Sequence, residues 1–335
     1  MHYFYSSLTR ISPLRDIAWT SEERLRQTWT TGDFVLCEAQ VGGFDHLELD
    51  NGRIATLVTG DVFIGALGDR EATLEATGQW KKVGDDGVLD VLTGAGLLGK
   101  MTSKSPFLPS LMQARYRGHI IDGGEKATMR RYVEPRNKVD FTTPTILLVG
   151  TSMSSGKTTA GQAIVRRLKA SGRSVVSAKL AGAGRYRDIL HMADAGADAI
   201  CDFVDGGLPS TVAEEREYRP ALSHILSLTQ AANADVAVIE IGASPLADYN
   251  GMVALDAVRA AVRLTVLAAT DVYAVRGFQQ LVDVKPDLVV GPVANTSAGV
   301  RLVAEHTGLT ALNLSDAANE GALDRLLHEA LSSAR

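Results

Sequence analysis

The sequence predicts an α/β protein in two parts: a smaller β-rich N-terminal domain over residues 1–134 and a C-terminal doubly wound parallel sheet over residues 145–335. Three observations carry this. Between about Gly32 and His119, short apolar runs are cut by glycine-containing turns. From Thr145 the rhythm changes to strand, helix, strand, helix. A polar stretch with two prolines, GGEKATMRRYVEPRNKVDFTTP, separates the two rhythms and places a linker at residues 135–144.

In the first part the runs FVLCEAQV, HLELDNGRIATLV, DVFIGALG and EATLEAT read as strands of a small barrel or sandwich. Asp50-Asn51-Gly52 lies between two alternating runs and predicts a hairpin, because Asn and Gly tolerate positive φ. The segment Gly94–Lys104 contains a G-x-G but lacks the downstream context of a dinucleotide fingerprint.

In the second part TILLVG is a buried strand, TTAGQAIVRRLKASG an amphipathic helix ending at Gly172, and SVVSAKL a second strand. Helices follow around Asp188–Ala197 and Arg219–Asn233, then the strands DVAVIEIG, RLTVLAA and PDLVVGPV. Such a sheet binds ligands outside the carboxyl ends of its strands.

Bulk properties narrow the function. The 335 residues are 45% hydrophobic and 22% charged, enough for two cores. With a net charge of -5 and Lys and Arg dispersed, there is no electrostatic footprint for nucleic acid or an anionic membrane, so a small-molecule substrate is the expected partner. Cys37 and Cys201, in segments that read as a strand and a helix–loop junction, form neither a disulfide framework nor a thiolate metal site. Together with the lack of a continuous apolar leader or a bilayer-length apolar run, this predicts a cytoplasmic protein.

The strongest chemical signal is Gly150-Thr151-Ser152-Met153-Ser154-Ser155-Gly156-Lys157-Thr158-Thr159, set between a buried strand and a helix. Loop amides and the helix N-terminus there point at phosphates, Lys157 neutralises β and γ oxygens, and the Thr158 hydroxyl ligates magnesium. The spacing departs from the usual phosphate loop, since Thr151 stands where its first glycine belongs. Glu240 ends the strand DVAVIE, where a magnesium ligand near that loop is needed.

The string G-T-x-x-x-x-G-K-T resembles the loop of dethiobiotin synthetase and related amidotransferase-type P-loop enzymes. That resemblance implies ATP and magnesium as cofactors, Lys179 as a second lysine facing phosphate and substrate, Glu240 as a metal ligand, and Asn295 in Gly291-Pro292-Val293-Ala294-Asn295 at the adenine edge. A second P-loop family, which includes D-glutamate N-acetyltransferases, is similar in Asp202-Phe203-Val204-Asp205-Gly206, in Glu240-Ile241-Gly242-Ala243 and in Tyr249-Asn250-Gly251. Neither resemblance reaches the N-terminal part.

Between Lys179 and Asp205 the chain gathers candidate substrate contacts. Arg185 and Arg187 match a planar carboxylate or phosphate; Asp188, Asp202 and Asp205 suit either a magnesium ion or an amine, with Asp202 assigned to the metal and Asp188 and Asp205 to the substrate. His191 has no identifiable partner as a base and reads as a surface or packing residue. Ser244–Gly251 is expected to form a lid or a dimer contact, in keeping with a homo-oligomer. These residues predict an ATP- and magnesium-dependent enzyme of kinase or ligase type that activates a small carboxylate-bearing metabolite, with Lys157 and Lys179 as catalytic cations. Two alternatives stay open: an N-acyltransferase whose loop grips coenzyme A, and a regulatory nucleotide switch, against which the chain has no Asn-Lys-x-Asp segment.

Overall fold

Phe34–Gln40 and Val62–Leu67 are apolar and buried over most of their length, and one face of each sends Val35, Cys37, Phe63 and Leu67 into one core of the N-terminal part. The structure is a computed structural model and describes residues 2–332. Its contacts divide the chain into two units. One comprises Met1–Arg136, Ala183–Arg187 and Phe203–Ala221, the other Asn137–Gly182, Asp188–Asp202 and Leu222–Arg335. Two later segments thus belong to the first unit, which a single linear boundary does not express.

The first unit is built on a mixed sheet. Val62–Leu67 pairs with Phe34–Gln40, which pairs with Gln113–Asp122, then Val88–Thr93, then Leu97–Lys104; that strand returns to Val62–Leu67, so these strands close a small barrel. The expected hairpin joins His46–Glu48 to Ile54–Thr56, with Gly52 at φ 82°. EATLEAT is not one strand: Arg70–Glu71 and Ala76–Gln79 are separated by a turn that leaves Leu74 exposed. Gly94–Lys104 is a hairpin turn and its return strand. The polar stretch after Gly123 begins folded, since Glu125–Lys126 pairs with Gln113–Asp122 and Met129 is buried. Residues 137–144 carry no helix or strand.

In the second unit a parallel six-stranded sheet runs in the order Ala199–Asp202, Val175–Ala181, Val236–Ile241, Thr145–Gly150, Val262–Ala268, Leu288–Val290. Every residue of Thr145–Gly150, Val175–Ala181 and Val236–Ile241 is buried, as strands covered on both faces must be. The helices in chain order are α1 (Lys157–Ala170), α2 (Tyr186–Asp194), α3 (Glu215–Ala231), α4 (Gly251–Val258), α5 (Val272–Leu281), α6 (Ser297–Thr307) and α7 (Glu320–Ser332). Asp271 caps α5 and Thr296 caps α6 through their side chains, and Gly308 ends α6 at φ 70°.

Cys201 corrects one expectation: it sits in the edge strand Ala199–Asp202, not at a helix–loop junction. Four residues that follow Asp198 and end in Asp202 carry too little alternation to be read as a strand, and pairing with Val175–Ala181 decides the matter. Among the described residues no helix is long and apolar enough to cross a membrane.

Candidate phosphate-binding site

The strand Thr145–Gly150 leads through a tight loop into α1, whose N-cap is Gly156 at φ 98°. Ser154 also takes a left-handed φ of 59°, which is unfavourable for a side-chain-bearing residue and is found where a loop is shaped for a ligand. Lys157 does not project into solvent as an exposed loop lysine. It is buried, and its ammonium folds back to donate to the Ser152 carbonyl at 2.8 Å. This path exists because Gly150 has no side chain, as a Cβ there would stand 2.6 Å from Lys157 Nζ. Thr151 Oγ1 and Ser152 Oγ are buried with no hydrogen-bond partner among the described residues. Donors left so beside a lysine and a helix N-terminus fit a phosphate chain.

The carboxyl ends of the neighbouring strands add charge. Register places Asp202, Lys179 and Glu240 in one row across three adjacent strands, level with Leu148 of the loop strand. All three are buried. Lys179 Nζ donates to Asp188 Oδ2 at 2.5 Å, from the first turn of α2. Thr158 Oγ1 lies 3.5 Å from Glu240 Oε2. That is long for a hydrogen bond, yet near the spacing of about 3 Å between neighbouring ligands of a magnesium ion held at about 2 Å. No group of three or more His, Cys, Asp or Glu able to hold a metal occurs among the described residues. A cation here would therefore rest on the Thr158 and Glu240 oxygens and on phosphates of its ligand. Asp202 stands two strands from Glu240 with Lys179 between them.

Burial and proximity pull these groups in opposite directions. Burial lowers the Lys157 pKa and the nearby Lys179 charge adds to this, while Glu240 and Asp188 oppose it. Burial also acts to lower Lys179, but Asp188, Glu240 and Asp202 outweigh it and hold its pKa above the ordinary lysine value. Burial raises the Glu240 carboxyl against the pull of both lysines. The cluster is a set of desolvated charges that balance one another.

Of the residues expected to serve the site, Lys157, Thr158, Lys179, Asp188, Asp202 and Glu240 come together in the second unit. Gly291 packs on the loop: at φ 90° it lies where a Cβ would overlap the Ser155 carbonyl, which brings the Gly291–Asn295 turn beside the loop. Asn295 itself is exposed, and its carbonyl accepts from Asn313 Nδ2 at 3.2 Å. Met153 and Thr159 lie on the loop and the first turn of α1, Thr159 exposed. Arg185, Arg187 and Asp205 belong to the first unit. There both arginines are exposed, the Arg187 amide donates to Glu48 Oε1 at 2.8 Å, and Asp205 accepts from Arg10 at 3.3 Å. In Ser244–Gly251 Tyr249 is buried, Leu246 is exposed, and Asn250 caps α4 at φ 56°.

Sequence reasoning missed Glu48, a buried acid that accepts from Ser7 Oγ at 2.5 Å and from the amides of Tyr186 and Arg187. It sits in a hairpin strand where alternation reads it as surface. Gly182 and Gly291 were also missed as packing positions.

No known family model matches the chain, and no curated protein matches it in sequence. Among solved structures, the signal recognition particle receptor FtsY from Elizabethkingia anophelis is 13% identical, with a TM-score of 0.39 over 57% of this chain and 66% of that one. A DUF1611 family protein from Anabaena variabilis is 13% identical, with a TM-score of 0.40 over 58% and 61%. The signal recognition particle 54 kDa protein from Aeropyrum pernix K1, solved in complex with GDP, is 17% identical, with a TM-score of 0.37 over 60% and 51%. The chain thus spans between half and two thirds of the length of these structures. Likenesses this distant carry no weight for function.

Proposed function

We propose that the second unit binds the phosphate chain of ATP together with magnesium and transfers a phosphoryl group to a small carboxylate-bearing acceptor. The observation that carries this reading is the convergence of Lys157, Thr158 and Glu240 at the mouth of a loop with unpartnered hydroxyls. Lys157 leaves the Ser152 carbonyl to meet a phosphate oxygen, and the loop amides at the start of α1 hold the chain. Lys179 supplies a second cation where charge develops on the transferred group. Thr158 and Glu240 would hold the magnesium ion, which neutralises phosphate charge when bound. In the transfer the γ-phosphorus bond to the bridging oxygen breaks as one to an acceptor carboxylate oxygen forms, giving ADP and an acyl phosphate. A carboxylate nucleophile carries no proton to remove, so the reaction needs no general base.

Titration calorimetry with ATP, GTP and acetyl-CoA, each with and without magnesium, tests the reading. Binding of ATP that strengthens with magnesium is the expected result. Binding of acetyl-CoA alone, indifferent to magnesium, would move the protein to acyl transfer, and binding of none of the three would end the phosphate-loop reading.

A further inference from the structure

Lys179 is a buried lysine at the carboxyl end of a central strand, and its side chain runs through a slot made by two glycines. A Cβ on Gly242 would stand 2.6 Å from Lys179 Cε and overlap the Ala181 carbonyl, and a Cβ on Gly182 would stand 3.1 Å from Lys179 Cε. Gly182 moreover has φ 136°, a conformation that side-chain-bearing residues rarely adopt. The slot fixes the path of the methylene chain, and the carboxylate of Asp188 fixes its end, 2.5 Å from the ammonium. The Lys179 side chain is 6% exposed and that of Asp188 27%, so the ion pair is largely shielded from solvent.

We propose that Asp188 is a positioning residue that holds the Lys179 ammonium in the Gly182–Gly242 slot, and that it is not itself a contact to the acceptor. This rests on the phosphoryl-transfer reading for its functional meaning, though the ion pair and the slot stand without it. A flexible lysine has many rotamers to lose on meeting a phosphate, and one already fixed by a carboxylate and two backbone walls has lost them in advance. Asp188 stands on the first turn of α2, where a helix N-terminus favours its charge.

The test compares Asp188→Asn and Asp188→Glu with the unaltered full chain. Side-chain ammonium signals in proton–nitrogen correlation spectra survive solvent exchange when a lysine is buried and ion-paired; Lys179→Met assigns the one that matters. The Lys179 signal should be present in the ligand-free protein, vanish in Asp188→Asn and return in Asp188→Glu. Magnesium–ATP affinity should fall about tenfold in Asp188→Asn and recover in Asp188→Glu. A Lys179 signal and ATP affinity unchanged in Asp188→Asn would overturn the proposal. Should the unaltered protein bind no ATP while the signal still follows Asp188, the positioning stands and the phosphoryl-transfer reading fails. Thermal melting of each variant guards against loss of fold, and an Asp188→Asn that melts as the parent does but lacks the signal counts for the proposal.

Discussion

Thr158 Oγ1 stands 3.5 Å from Glu240 Oε2, which ties the first turn of the loop helix to the end of the strand beside the loop strand. Two oxygens so placed can serve one cation, and removing the charge of one should remove the metal's contribution. Glu240→Gln is therefore expected to abolish the magnesium dependence of ATP binding while leaving the magnesium-free affinity within a factor of about three. Calorimetry at matched ionic strength measures both. A variant that loses thermal stability and keeps its magnesium dependence would make Glu240 a structural residue.

Acidification should weaken magnesium-dependent binding sooner than for an ordinary carboxylate. Burial raises the folded-state pKa of Glu240 above 4.5, and a metal takes the ionised form. The sign for stability is the reverse of that for metal binding. With the folded pKa above the unfolded one, the unfolded chain ionises first, so Glu240 makes the ligand-free protein less stable as pH rises from the unfolded to the folded value. Melting curves across that interval should show this slope in the unaltered chain and lose it in Glu240→Gln.

Lys157→Ala should lower ATP affinity at least about tenfold, one charge-assisted contact being worth about 1.5–3 kcal/mol. The melting temperature should hardly fall, because burial already disfavours this ammonium and its short contact is to the Ser152 carbonyl. Equal ATP affinity in variant and parent would remove Lys157 from the site.

Gly291→Ala forces a Cβ onto the Ser155 carbonyl at a residue with φ 90°. The expected cost is about 1–3 kcal/mol of stability, read by denaturant unfolding, with weaker ATP binding because the loop proposed to hold the phosphates must shift. Gly308→Ala, at φ 70° with no atom near its Cβ position, provides the control: strain without a clash at the loop.

In the first unit, Asp33 is fully buried and accepts from Lys126 Nζ at 2.7 Å, from His119 Nε2 at 3.1 Å and from the Thr30 amide at 2.7 Å. Burial works to raise its pKa, but these donors outweigh it and hold the carboxyl below 3.8. A depressed folded pKa means stability present above the unfolded value and lost as pH falls through the folded one. Asp33→Asn should cost about 3 kcal/mol, since it removes a buried anion from beside the Lys126 ammonium and from its other donors. Acid unfolding of the parent should carry a step below pH 3.8 that the variant lacks.

The passage from the strand Thr145–Gly150 through a tight loop into α1 was legible because its information is local. Gly150, Gly156, Lys157 and Thr158 lie within one turn between strand and helix, and backbone preference with hydrogen-bonding geometry leaves such a string few conformations. The change of rhythm at Thr145 and the hairpin at Gly52 were readable for the same reason. The rest depends on partners distant in sequence. That Asp202, Lys179 and Glu240 share a row follows from strand register, and that Lys157 is buried follows from the Gly150 wall it folds against. Ala199–Asp202 is a strand because Val175–Ala181 offers its edge. The return of Ala183–Arg187 and Phe203–Ala221 to the first unit is likewise a matter of distant partners, such as Glu48 for the amides of Tyr186 and Arg187 and Arg10 for Asp205. Alternation and turn chemistry act over a few residues and are written in the chain, whereas register, burial and ion pairing compare segments tens to hundreds of residues apart, and only the folded structure makes that comparison.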